Sequence, residues 1–246
     1  MCFHTSITST SKQLESNFNA QFINDKVRSK FDSPQYHLNG FEHPNLPIIT
    51  QELNQTILPA VWGIVPTHEN PEELNTYFKK ASKFGGGLNA KSEKLRSHFL
   101  YKNLYKTQRC LILIDAFFEP HHVNNKSFPY LIQKKDRKPF ALAGIYTRFE
   151  NGLITCSILT RPAMPFLANI HNAKQRQPVM LDSELEKNWL NYKLSDKDIF
   201  QIIETDYDDK DLKVYPVDKK LFSPKYNTNV KDILKPVSYP ELETLF

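Results

Sequence analysis

Glycine is scarce in this chain, at 7 of 246 residues against a usual ~7%. Three of the seven stand together at Gly85–Gly87. There is no internal repeat and no low-complexity linker, so one domain over residues 1–246 is expected. Cysteine is sparser still. Cys2, Cys110 and Cys156 are an odd set without paired spacing, which argues against a disulfide framework. No CxxC or Cys/His cluster exists, so neither a metal nor another cofactor is expected. His121–His122 reads as a polar loop. No apolar run approaches the ~20 residues of a membrane span; the best, Cys110–Ile114, stops at Asp115. Residues 2–20 lack the apolar region of a secretory signal. A reducing compartment follows, hence the cytoplasm, with nucleoid association in a bacterium. Wholesale disorder is excluded by 40% apolar residues, 11 Tyr and 17 Phe.

What is present has two textures. Pro34, Pro44, Pro47 and Pro59 disfavour long helices before residue 60 and leave extended pieces at Pro34–Leu38 and Leu46–Thr50. Pro71–Lys80 predicts a helix with Pro71 in its first turn and Glu72 and Glu73 at its positive end. Ser92–Tyr105 has helical spacing at Leu95, Phe99, Leu100 and Leu104. Then come short apolar runs at Arg109–Ile114, Phe128–Gln133, Phe140–Tyr146 and Leu153–Thr160, read as successive strands. Asn151–Gly152 marks a hairpin between the last two. Short helices are expected at Arg161–Ile170 and at Asp182–Tyr192, the latter capped by Asp182. A strand at Leu212–Val217 precedes a loop-rich tail from about residue 218. The fold class is α+β: a mainly antiparallel sheet or barrel-like core with peripheral helices.

The formal charge is +5, unevenly spread. Residues 79–138 carry 14 Lys/Arg against 4 Asp/Glu, and the rest of the chain is net acidic. This segment interleaves cations with Phe84, Phe99, Tyr101, Tyr105, Phe117 and Phe118. It reads either as a solvated basic face or as a nucleic-acid surface, with cations for phosphates and rings for bases. Gly85–Ser92 falls one residue short of a P-loop, and Ala90 stands where that loop needs its second glycine, so an ATPase is not indicated. Cys2 would become the first residue on loss of the initiator methionine. It would then present an α-amine of pKa ~8 and a thiol on adjacent carbons. An aldehyde can condense with the amine and be closed by the sulfur into a thiazolidine. Alternatively the thiol can serve as an acyl-transfer nucleophile, or the position of Cys2 is incidental.

Four ordered segments, together with Met1-Cys2, resemble the SOS-response-associated peptidase (SRAP) family, whose members cross-link to abasic sites in single-stranded DNA. Val61-Trp62-Gly63-Ile64-Val65-Pro66 is similar to the family's Trp-Gly-Leu-x-Pro block. Leu88-Asn89-Ala90-Lys91-Ser92-Glu93 is similar to its Asn-Ala-Arg-x-Glu block. Arg109-Cys110-Leu111 through Asp115-Ala116-Phe117-Phe118-Glu119 resembles its Arg-Cys-Leu…Gly-Phe-Tyr-Glu-Trp segment. Ile170-His171-Asn172 with Arg176-Gln177-Pro178-Val179-Met180-Leu181 resembles its Ile-His-x-Arg-Met-Pro-Val-Ile-Leu block. The chain departs from the pattern at Phe3 and His4 (usually Gly-Arg), at Lys91 (Arg), at Ala116 (Gly) and at Pro120 (Trp).

The resemblance implies an abasic-site enzyme that also processes its own N-terminal methionine. Cys2 would be the nucleophile, Glu119 at a strand end the general acid/base, His171 its partner or a donor to the sugar, and Asn89 the residue orienting the terminus. His4, Lys91, Arg109 and Arg176 would contact phosphates, and Trp62 would stack on a base. The implied partner is single-stranded DNA containing abasic sites, met by a monomer that touches no membrane. A thiol peptidase and a non-covalent single-strand-binding module are the competing readings.

Overall fold

The computed structural model describes residues 2–242. Its centre is a ring of five strands. Ile154–Pro162, Phe140–Arg148, Arg109–Ile114, Asn45–Thr50 and Thr56–Trp62 neighbour one another in that order. Thr56–Trp62 then returns to the first through a short parallel pairing, Val61 opposite Thr155 and Trp62 opposite Cys156. The ring is therefore closed, and all six residues of Arg109–Ile114 are buried. Closure removes the unpaired edges that an open sheet would expose. Gly144 sits where a Cβ would come within 2.7 Å of the Ile112 side chain and 2.9 Å of the Cys110 sulfur, so a larger residue there would have to displace these barrel side chains.

A second sheet packs beside the barrel in the order Leu212–Pro216, Lys126–Lys134, Ala116–Val123, His4–Ile7, Gln35–Asn39. Its pairings are antiparallel throughout. The main core cluster draws on both sheets. The segment beyond residue 218 runs as short 3₁₀ turns. It tucks Leu221 and Ile233 against Ala116, Phe118 and Leu131 on the outer face of this sheet. Among the described residues no helix is long and apolar enough to cross a membrane.

The α+β class with a barrel-like, mainly antiparallel core is what the strand runs predicted. The four expected strands and the hairpin at Asn151–Gly152 are present, with Gly152 at φ +85°. Asp182 caps helix Ser183–Trp189 by accepting from the backbone of Glu184 and Leu185. Other expectations are corrected. The Ser92–Tyr105 spacing yields only a 3₁₀ turn and then helix Tyr101–Thr107. In place of a helix from Arg161, the strand runs on to Pro162 and the helix begins at Pro165, because Pro162 and Pro165 break helical hydrogen bonding there. Glu119 and His121–His122 lie within the eight-residue strand Ala116–Val123, not at a strand end or in a loop. Short helix Ser11–Phe18 was not expected; Thr10 and Gln13 form a capping box at its start.

Arg109 also departs from its expected role. Its guanidinium is fully buried. It donates to the carbonyls of Trp189 (2.8 Å), Tyr105 (3.0 Å), Lys106 (2.6 Å) and Asn191 (2.6 Å). Those carbonyls close the C-terminal ends of helices Tyr101–Thr107 and Ser183–Trp189, where orphan acceptors and the negative dipole end favour a cation. Burial lowers the Arg109 pKa to about 10, which leaves it charged at neutrality. Four of its five N–H groups are taken by these carbonyls and the group has no exposed surface, so it does not reach a phosphate. Replacing Arg109 with Met should therefore destabilise the fold by roughly 3 kcal/mol or more, since several buried carbonyls lose their partner at once. Urea unfolding measures this; a loss below ~1 kcal/mol would contradict the bracing role.

Candidate active site

The N-terminal strand is placed by contacts on every side. His4–Ile7 pairs with Gln35–Asn39 on one edge and with Ala116–Val123 on the other. Asp115 accepts from the backbone of Thr8 (2.7 Å) and Ser9 (2.9 Å) at the strand's far end. Gly40 N–H donates to the Phe3 carbonyl at 2.8 Å. The Asn89 side-chain amide donates to the Cys2 carbonyl at 2.9 Å. Upstream of Asn89, Gly85–Gly87 all take positive φ, and Gly87 lies close against Ile64; a Cβ there would lie 2.6 Å from the Ile64 carbonyl.

Cys2 is completely buried, Glu119 is 2% exposed and His171 is 3% exposed. His171 Nδ1 lies 3.2 Å from Glu119 Oε2 and 2.9 Å from the Arg176 carbonyl. The Arg176 carbonyl can only accept, so Nδ1 carries the proton and, in the neutral ring, Nε2 carries the lone pair. Burial raises the Glu119 carboxyl to about 7. Burial, and then the Glu119 charge, raise the Cys2 thiol well above its ordinary value. Burial lowers His171 to about 4. Near neutrality the thiol and imidazole are uncharged and the carboxyl is close to half ionised. That is the protonation pattern of a general acid/base beside a neutral nucleophile. A cavity of about 480 Å³ opens beside them, lined in part by Phe3, His4, Phe118, Pro120, His171 and Phe222.

Cys2, Asn89, Glu119 and His171, four residues from four separate segments, are thus brought to one place. The expected phosphate and base contacts fare differently. Lys91 is exposed. Trp62 is fully buried and donates its indole N–H to the Leu88 carbonyl at 3.0 Å, so it is a core residue and offers no face to a base. His4 shares a 2.9 Å hydrogen bond with His37, which in turn meets Thr228 at 2.7 Å. Burial, with His37 adding to it, lowers His4 to about 3, so it is neutral and brings no charge to a phosphate. Arg176 holds Glu93 in a fork, 2.6 and 3.0 Å, and donates to the Thr160 carbonyl at 2.9 Å. The fork with Arg176 holds the Glu93 carboxyl down at about 2. Glu93 lies inside a quoted sequence block yet received no role there. His37 and Thr228 had no local signal at all, because only the fold brings them to His4.

Comparison with known proteins adds an independent line. A family model described as SOS response associated peptidase (SRAP) matches residues 1–224. The abasic site processing protein YoqW of Bacillus subtilis is 30% identical over 218 residues, covering 83% of this chain and 92% of that protein. Abasic site processing protein YedK of Escherichia coli is 29% identical over 147 residues, 58% of this chain and 59% of its own. A crystal structure of a Bacteroides thetaiotaomicron protein superposes with a TM-score of 0.83 at 26% identity, covering 96% of this chain and all of that one.

The electrostatics have a measurable sign. Glu119 holds its proton more tightly folded than unfolded, with its pKa raised from 4.5 to about 7. Its contribution to stability is full below pH ~4.5 and is lost as pH rises through about 7. A Gln at this position stays neutral. The stability of Glu119→Gln relative to the parent should therefore climb by up to about 3 kcal/mol between pH 5 and 8. Denaturant titrations at both pH values test this, and a pH-independent difference would contradict the raised carboxyl.

Proposed function

We propose that this chain, which belongs to the SOS response associated peptidase family, processes abasic sites in single-stranded DNA by linking covalently to them through Cys2. The observation that carries the reading is the convergence of a buried cysteine at the second position, a carboxyl poised near neutrality and a neutral imidazole. Relatives named as abasic site processing proteins support the substrate class.

With Met1 removed, the chemistry balances as follows. The α-amine of Cys2 adds to the aldehyde carbon of the ring-opened sugar, and loss of one water gives an imine. The thiol sulfur then bonds to that same carbon while its proton passes to the imine nitrogen, closing a five-membered thiazolidine. Glu119 is the group that relays these protons. It donates to the departing oxygen as water leaves, then accepts from the thiol, whose raised pKa would otherwise keep it protonated. His171, with Nδ1 3.2 Å from Oε2, packs against the carboxyl and orients it. Asn89 fixes the Cys2 carbonyl, and so the direction in which amine and thiol point. The cavity beside Phe3, Phe118 and Phe222 admits the sugar.

Incubation with a single-stranded oligonucleotide carrying one abasic site should give a heat-stable adduct with the mass of protein lacking Met1 plus DNA minus one water. Cys2→Ala should give none. Cys2→Ser should give only a Schiff base that borohydride must trap. Glu119→Gln should slow the reaction by ~10²–10⁴-fold with little change in DNA affinity. A stable adduct from Cys2→Ala would overturn the proposal. A Glu119→Gln variant that loses binding yet reacts at the parent rate on saturating DNA would overturn the role given to Glu119.

A further inference from the structure

The cavity beside the Cys2 cluster is larger and more apolar than a sugar requires. Its walls are chiefly carbon, supplied by Phe3, Phe118, Pro120 and Phe222. Phe41 backs Phe3 with ring centroids 4.9 Å apart, and Phe222 meets the His4 ring at 5.1 Å. His4 and His171 also face the space, and burial lowers both so that they are neutral. Among the described lining residues only Lys174 carries a permanent charge, and it is exposed. An apolar cavity of about 150 Å³ holds a benzene ring; this one measures about 480 Å³. Space of this size, walled by rings with a few polar groups at one side, is the usual form of a small-molecule site.

A deoxyribose carries oxygen on most of its carbons and gains little from phenyl walls. An alkyl chain gains roughly a factor of four in affinity for each CH₂ buried. Phe3 follows directly on Cys2, and His171 lies 3.2 Å from Glu119, so a chain lying in the cavity has its head at the reacting groups. We propose that this site also takes free aldehydes with an apolar tail, medium-chain alkanals, and closes them into a thiazolidine on Cys2 with the tail held between Phe3, Phe118 and Phe222. The inference rests on the Cys2 chemistry of the proposed function and adds a substrate that contains no DNA. The amine adds to the carbonyl carbon and one water leaves. The sulfur then bonds to the same carbon as the thiol proton passes to the nitrogen, and no oxidant or reductant is consumed. A Cys2 closed in this way has neither a free thiol nor a primary amine, so alkanals and abasic sites exclude one another.

Intact-mass spectrometry of protein lacking Met1, after incubation with hexanal, should show a gain of one hexanal minus one water. The gain should persist on dilution without borohydride and be absent from Cys2→Ala. The rates with hexanal and acetaldehyde give a ratio, to be divided by the same ratio for a short peptide with an N-terminal cysteine. Full burial of the four extra carbons would be worth ~250-fold, so a normalised ratio of at least about tenfold is expected. Phe222→Ala should lower it about threefold or more, and Phe222→Leu, which keeps an apolar wall, should retain it. Protein already carrying hexanal should form no adduct with abasic DNA. A normalised ratio near one in the parent, or equal labelling of Cys2→Ala, would overturn the inference. Tail selectivity in a parent that forms no adduct with abasic DNA would uphold it while refuting the DNA reading. A DNA adduct with a ratio near one would do the reverse, so the two fail separately.

Discussion

A chain end has no covalent neighbour on one side, so holding it still demands contacts from the rest of the fold. In this protein the demand is met by making the first strand an interior one. His4–Ile7 has hydrogen-bonded partners along both edges, Asp115 anchors the turn that follows it, and Gly40 and Asn89 hold the two residues before it. The partners come from residues 35–40, 89 and 115–123, so the terminus can be fixed only when the second sheet and the barrel are both assembled. Backbone ordering of each residue costs about 1–2 kcal/mol, which is why so many contacts converge on so few residues.

The same enclosure sets the chemistry. Burial pushes each titratable group toward its uncharged form: the Cys2 thiol and Glu119 carboxyl upward, the His171 imidazole downward. Desolvation is the largest cause in all three. A low-dielectric cluster of this kind holds protons that shift at little cost when a polar substrate arrives. His4 and His37, neutral for the same reason, tie the opening strand to Thr228 near the other end of the chain.

Much of this was legible in the residues. Short continuous apolar runs in the middle of the chain disclose strands because these are buried on both faces, and Arg109–Ile114 was bounded to the residue. Glu119 and His171 stood out through the blocks that carry them. Burial was not legible. Trp62 and Arg109 sit in family-like blocks and look like surface ligands in one dimension, yet the fold spends the Trp62 indole on Leu88 and the Arg109 guanidinium on two helix ends. Strand Ala116–Val123 was hidden because Pro120 and two histidines interrupt its pattern. Pro120 pairs opposite Pro129, so neither residue has an N–H to offer at that step of the ladder. Nor could local sequence separate the exposed Phe84 and Phe99 from the buried Phe117 and Phe118, which differ only in where the chain carries them.

The burial of Cys2 has a further consequence, for the endurance of the thiol. Peroxide and disulfides attack thiolate, and they must first reach it. A side chain with no exposed surface and a pKa above the ordinary range presents little of either, so the resting protein keeps its sulfur reduced under oxidative stress. The enclosure that raises the Cys2 thiol thus also keeps its sulfur out of the reach of oxidants.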